Sequence, residues 1–237
     1  MFMEARKSLT QIGSLNEKPL HASLKHWCAG PGDQFEVSVD GFVIDIVQDD
    51  LLVEIQTKNF GSMKRKLFTL TADHRVRLVY PIAQEKWIVK LPAGGVGEGV
   101  RRKSPKRGKL VDIFGELVSF PKLIANPNFS LMLLLIQEEE VRRFDAKRAW
   151  RRKGWVTEER RLLDVVDRRL FESPEDVATL IPSELPEPFT TSDLAAALGR
   201  PRRLAQQMAY CLREMGVIAQ VGSRARAKLY ERVAGSA

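Results

Sequence analysis

The sequence predicts an α/β fold over about its first ninety residues and a mainly α-helical unit at its C-terminal end. Three observations predict this. Helical and strand-like apolar spacings alternate from Ser14 to Leu91, and residues 158–237 show helical spacing that closes on a short strand pair. The chain of 237 residues is 44% hydrophobic, enough to build a core and to exclude wholesale disorder.

Leu15, Leu20, Leu24 and Trp27 can share one face of a helix from Ser14 to about Trp27, ended by Gly30, Pro31 and Gly32. Ser14 and Glu17 form a capping-box pattern, but Pro19 would then fall inside the helix. A start at Asn16, with Pro19 in the first turn, fits as well. Phe35 to Val47 is rich in β-branched residues around an Asp40-Gly41 turn, and Leu51 to Thr57 resumes after Gln48, Asp49 and Asp50, which together read as strands of a hairpin. Phe60 to Asp73 returns to helical spacing through Met63, Leu67 and Leu70; Arg75 to Ile82 and Trp87 to Leu91 read as two further strands. Pro92 to Lys109 reads as a loop, because its glycines lack the Gly-Lys-Ser/Thr ending of a phosphate-binding loop. Leu110 to Ile124 reads as helical, and Leu131 to Arg143 fits strand or helix.

Glu158 to Phe171 carries Leu162, Leu163, Val166 and Leu170 at helical intervals. Past a proline-rich stretch, Thr191 or Ser192 can cap a short helix, and the turn Gly199-Arg200-Pro201 leads to a longer one with Leu204, Met208, Cys211, Leu212 and Met215 on its apolar side. Val217 to Val221 and Lys228 to Val233 then flank a hairpin turn. This order resembles a winged helix-turn-helix domain. The resemblance implies that Arg200, Arg202 and Arg203 begin the helix that enters a DNA groove, with Gln206 and Gln207 offering amides to base edges and Arg224, Arg226 and Lys228 on the wing. Such domains also serve protein contacts, where the same arginines would only solvate a helix end.

Thirty-eight Lys and Arg against thirty Asp and Glu give +8, which favours a polyanionic partner. The charge is concentrated in two runs, Arg101, Arg102, Lys103, Lys106, Arg107 and Lys109, then Arg142, Arg143, Lys147, Arg148, Arg151, Arg152 and Lys153. Trp150 and Trp155 interleave with the second run, as base-stacking residues or as packing under aliphatic stems. No apolar stretch approaches a membrane span, and Cys28 and Cys211 lack disulfide or zinc spacing, so a cytoplasmic protein is expected, with no membrane partner. His21, His26 and His74 lack the spacing of a helical zinc pair.

Charged residues interrupt the N-terminal strands. Asp45 breaks Val43 to Val47, and alternation puts Glu54, Gln56 and Lys58 on one face, with the short turn bringing Asp45 alongside Glu54. Two carboxylates suit a hard divalent cation, Mg²⁺ or Mn²⁺, that polarises a phosphoryl oxygen and acidifies water. A solvated edge-strand face with a cross-strand pair is the plainer explanation.

The order of elements and these residues resemble the restriction-endonuclease-like PD-(D/E)xK superfamily over Ser14 to Leu91, with an αβββαβ core. The resemblance implies metal ligands at Asp45 and Glu54, an accessory acid at Glu17, a possible ligand in the Ile55 carbonyl, and a catalytic set of Asp45, Glu54, Gln56 and Lys58. Gln56 stands where that motif has Lys and carries no charge; Lys58, about 7 Å further along the strand, would deliver the ammonium. The chain is thus expected to divide into a nuclease-like domain (1–91), a basic connector (92–157) and a winged-helix domain (158–237). The expected function is metal-dependent hydrolysis of DNA, with duplex the expected substrate and a homodimer one way to cut both strands. The alternative is a DNA-binding or regulatory protein whose nuclease-like domain has lost cleavage.

Overall fold

The computed structural model describes residues 18–92, 99–145, 147 and 153–233. Helix α1 (Pro19–Cys28) has Pro19 in its first turn, where the missing N–H would have had no helical partner, and buries Leu20 and Leu24. Trp27, expected on the same face, is 41% exposed. Ser14, Asn16 and Glu17, and with them the accessory acid, lie outside the described residues.

Strand β1 (Gln34–Val39) turns through Asp40 and Gly41, both at positive φ, into β2 (Phe42–Gln48), and β2 turns into β3 (Leu51–Ile55); all three pair antiparallel. A 3-10 turn (Phe60–Met63) and helix α2 (Lys64–Leu70) cross to β4 (Arg75–Lys90), which runs parallel to β3. β4 is one strand of 16 residues where two short ones are expected, because a bulge between Ala83 and Glu85 absorbs the break. β5 (Val100–Lys103), within the stretch expected as a loop, pairs with β4. A 3-10 turn (Leu110–Ile113), helix α3 (Phe114–Leu117) and another 3-10 turn (Pro121–Ala125) precede β6 (Phe129–Phe144), parallel to β4, and β7 (Trp155–Phe171), antiparallel to β6.

The expected helix over Glu158 to Phe171 is therefore a strand. Its register against β6 skips Glu158, Leu163 and Val166. Each extra residue resets the two-residue alternation of a strand, so apolar residues recur at three- and four-residue intervals that imitate a helix. The sheet, ordered β1-β2-β3-β4-β6-β7 with β5 on β4, continues through both expected boundaries, at 91 and at 157.

Alternation divides the core into two layers. Leu52, Val76, Leu78, Leu131 and Leu133 pack with Leu67 and Leu70 of α2 and Phe114 of α3; Val53, Val79, Leu134 and Ile136 pack with Leu20 and Leu24 of α1. Phe60 stacks on Phe120 at 5.3 Å between ring centroids.

The C-terminal chain joins the first layer. Helix α4 (Pro174–Ala178) precedes α5 (Thr191–Leu198), whose cap is Thr190, one residue earlier than expected, in a reciprocal bond with Asp193. Gly199, at φ 60°, ends α5 in the left-handed region, and α6 (Arg202–Glu214) buries Ala205, Met208, Cys211 and Leu212. β8 (Ile218–Arg224) and β9 (Ala227–Arg232) form a hairpin, with Tyr230 bridged to Phe189. No helix among the described residues is long and apolar enough to cross a membrane.

Glu138 of β6 is fully buried, with Oε1 2.7 Å from Lys86 Nζ and Oε2 2.9 Å from Arg160 Nε. Glu138→Ala leaves both cations without this carboxylate in a low-dielectric wall and is expected to cost about 3 kcal/mol. Chemical denaturation measures it; an unchanged midpoint would mean that the two cations do not depend on Glu138.

Candidate active site

The β2–β3 ladder ends with Ile46 opposite Val53. Beyond it, side chains take over from the main chain. The Ile55 N–H donates to Asp45 Oδ2 at 2.8 Å, and the Asp45 N–H donates to Glu54 Oε1 at 3.4 Å. On its other edge β2 also loses its partner at Asp45, because Glu36, between the paired Phe35 and Val37, sits at φ 55°. The alternation breaks with it, so Ile44 and Ile46 pack in opposite core layers.

Asp45 and Glu54 consequently adjoin at a split strand end but lean to opposite sides of the sheet, where one shared face is expected. Asp45 leans toward α1: His21 Nε2 is 3.3 Å from its Oδ2 and 3.0 Å from the Ile55 carbonyl oxygen. Glu54, 3% exposed, leans toward α2, where Lys66 Nζ lies 2.5 Å from its Oε1 and also donates to the Val43 carbonyl. The Gln56 amide donates to the Asn59 carbonyl at 3.2 Å and to Ser62 Oγ at 3.1 Å, closing the loop after β3. Lys58 is exposed and lines a cavity of about 250 Å³ beside His21. The ammonium that touches Glu54 is Lys66, in place of the expected Lys58.

Burial drives the Glu54 carboxyl up to about 7, and the neighbouring Asp45 charge adds to the rise; the two outweigh Lys66. Asp45 goes the other way. Burial alone would raise it, but the hydrogen bond and charge of His21, the Ile55 N–H and Lys66 together hold it below the usual carboxylate range. Environments that push two adjacent carboxyls apart in this way suit one to hold negative charge and the other to exchange a proton.

The donor set is hard oxygen. His21 Nε2 sits between Asp45 Oδ2 and the Ile55 carbonyl, and Glu54, bonded to the Asp45 amide, leans to the other side of the sheet. Among the described residues, no group of three or more His, Cys, Asp or Glu gathers to hold a metal ion, so an ion here would rest on two carboxylates and a main-chain carbonyl.

Sequence reasoning missed His21 and Lys66. His21 stands four residues after Glu17 in the sequence, and zinc spacing alone does not single it out. Lys66 is the last of three consecutive cations, Lys64, Arg65 and Lys66, and nothing in that run marks which one turns inward.

The expected DNA contacts divide. Arg202, Arg203 and Gln206 are exposed at the start of α6, with Gln207 half-buried; Arg226 and Lys228 are exposed at the hairpin. Arg224 is also exposed but pairs with Asp193 at 2.9 Å. Arg200 points inward: its Nη2 donates to Asp112 at 2.8 Å and to the Arg107 carbonyl at 2.9 Å, tying the α5–α6 turn to the chain after β5. The basic runs are partly neutralised, Arg101 by Glu139 and Lys103 by Glu85 across strands at 2.8 Å each, and Arg142 by Glu140 along β6 at the same distance. Trp155 packs edge-on to Phe144 beneath Lys90, whereas Trp150, Arg151 and Arg152 lie outside the described residues.

Sheet and helices define an α/β protein, a large mixed sheet with several helices packed on it. The chain belongs to the family described as Domain of unknown function (DUF8091), whose model matches residues 18–172, from the start of α1 to just past β7. It is 32% identical over 223 residues to an uncharacterized protein of Treponema pallidum (strain Nichols), covering 93% of this chain and 87% of that protein. No solved structure matches it.

A folded-state carboxyl raised from 4.5 to about 7 favours folding fully below pH 4.5, and that contribution is lost as pH rises through 7. At about 1.4 kcal/mol per unit the loss is about 3 kcal/mol. Glu54→Gln, which cannot ionise, is therefore expected to gain stability relative to the wild type between pH 4.5 and 8, measured by denaturant titration at each pH; parallel pH profiles would count against the raised Glu54.

Proposed function

We propose that the chain is a metal-dependent phosphodiester hydrolase that acts on DNA. The observation that carries this reading is the split end of β2 and β3, where the Asp45 carboxylate and the Ile55 carbonyl share the His21 nitrogen and the Asp45 amide donates to Glu54, the partner of Lys66. The element order supports it. An opening helix, three antiparallel strands, a crossing helix and a parallel strand follow the αβββαβ order of the restriction-endonuclease-like proteins that the sequence resembles.

In this reading Asp45, Glu54 and the Ile55 carbonyl hold a Mg²⁺ or Mn²⁺ ion, which supplies polarisation of a phosphoryl oxygen and an acidified water. Lys66 brings the positive charge that Gln56 lacks, and its ammonium can neutralise charge growing on the phosphate. His21 fixes the orientation of the Asp45 carboxylate. The α5–α6 pair with the β8–β9 hairpin acts as a winged helix-turn-helix that docks duplex, α4 standing where the opening helix of such a domain is expected.

The test is incubation of the protein with plasmid, linear duplex and single-stranded DNA, with Mg²⁺ or Mn²⁺ and with EDTA. Metal-dependent cutting is expected, reduced about 100-fold or more by Asp45→Asn, Glu54→Gln or Lys66→Ala. Cutting unchanged in Asp45→Asn and Glu54→Gln would reject this site. Wild-type binding without cutting would favour the second reading, a DNA-binding protein with a degenerate nuclease-like sheet, for which the Lys66 ion pair on Glu54 is the supporting observation. Neutralising Arg202 and Arg203 is expected to make the plot of log binding constant against log salt shallower by about 2; an unaltered slope removes α6 from the contact.

A further inference from the structure

β7 lies at one edge of the sheet and runs for 17 residues. The strands at the other open edges are short: β1 has six residues and is interrupted by Glu36 at φ 55°, and β5 has four. Among the described residues no strand pairs with the outer edge of β7, so its outward main-chain groups have no ladder partner. Three large apolar side chains stand on the same stretch, Leu163 (44% exposed), Val166 (45%) and Leu170 (38%).

The charges of this edge differ from those inside the sheet. Glu85, Glu138, Glu139 and Glu140 each meet a cation within the chain. Asp164, Asp167, Arg168 and Arg169 are all exposed, and none of the four forms an ion pair with another described residue. Charges and bulges on an edge normally repel a foreign strand. The order of these charges decides which strand they admit. Inverted about the Val166-Asp167 bond, the segment maps Asp164 onto Arg169, Leu163 onto Leu170 and Arg161 onto Glu172, and nowhere does it set like charges opposite each other.

The bulge at Val166 makes that register workable. Five residues separate Asp164 from Arg169, which in a regular strand would put them on opposite faces, but the extra residue brings them back to one face, where they stand opposite Gln137 and Leu133 of β6. Residues paired across an antiparallel ladder share a face, so the two can meet.

We infer that the outer edge of β7 pairs antiparallel with β7 of a second copy of this chain, about a two-fold axis at Val166-Asp167, joining the two sheets. Asp164 of each copy then lies opposite Arg169 of the partner subunit, and Leu163 opposite Leu170 of the partner subunit. A two-fold contact presents the same patch from both sides, so one strand must carry both signs, and this one does. The inference does not depend on the DNA reading.

Sedimentation velocity of the full chain over about 1–100 μM tests it, and the wild type is expected to sediment as a dimer. Asp164→Arg and Arg169→Asp each set like charges opposite at two symmetric places and are each expected to raise the dimer dissociation constant about tenfold or more. Mixed in equal amounts, the two variants regain opposite charges at both places in a heterodimer, which is expected to form with a dissociation constant within about twofold of the wild type. A loss of folding would not be rescued in this way. For a variant that thermal unfolding shows to be unfolded, Leu163→Ser takes its place and is expected to weaken the dimer about fivefold. A wild type that stays monomeric, a dimer that the substitutions leave unchanged, or a mixture that associates no better than its components overturns the inference.

Discussion

The hydrogen bond from the Ile55 amide to the Asp45 carboxylate sets the geometry on which the site depends. A sheet would normally continue its ladder at this point; here a side chain supplies the acceptor, and β2 and β3 part. The parting has three consequences. The Ile55 carbonyl turns to His21, the Asp45 amide turns to Glu54, and the alternation of β2 breaks so that Ile44 and Ile46 serve opposite core layers. One carboxylate thus shapes the backbone around it as well as carrying charge.

Charge burial imposes a second constraint. A carboxylate as buried as Glu54 or Glu138 is tolerated only with a cation close by: Lys66 from α2 serves Glu54, and Lys86 from β4 with Arg160 from β7 serves Glu138. The same logic runs along the extended ends of β4, β5 and β6, where Glu85, Glu139 and Glu140 face Lys103, Arg101 and Arg142. The net charge of +8 therefore overstates the positive surface there. Cations stand more openly at the start of α6 and on the hairpin, where Arg202, Arg203, Arg226 and Lys228 are exposed.

The sequence made the N-terminal hairpin, the α2 crossing and the C-terminal helix pair legible because each has a clear period and turn residues that require its bends, Asp40-Gly41 and Gly199 among them. It misled at β7, where bulges at Glu158, Leu163 and Val166 imitate helical spacing. It misled too on basic clusters, since strand pairing that lays Glu139 beside Arg101 is a long-range fact. Strand order alone draws attention to Asp45 and Glu54, but their placement at a split end, the Lys66 ion pair and the contact of His21 depend on helices packing from opposite faces, which no local pattern encodes.

Asp45, Glu54 and the Ile55 carbonyl are proposed to hold one divalent cation between them. Electron paramagnetic resonance of free Mn²⁺, titrated into the wild type and into Asp45→Asn, tests it most directly. The wild type is expected to withdraw one equivalent of Mn²⁺ from the free signal and the variant none; identical titrations for the two proteins would count against the site.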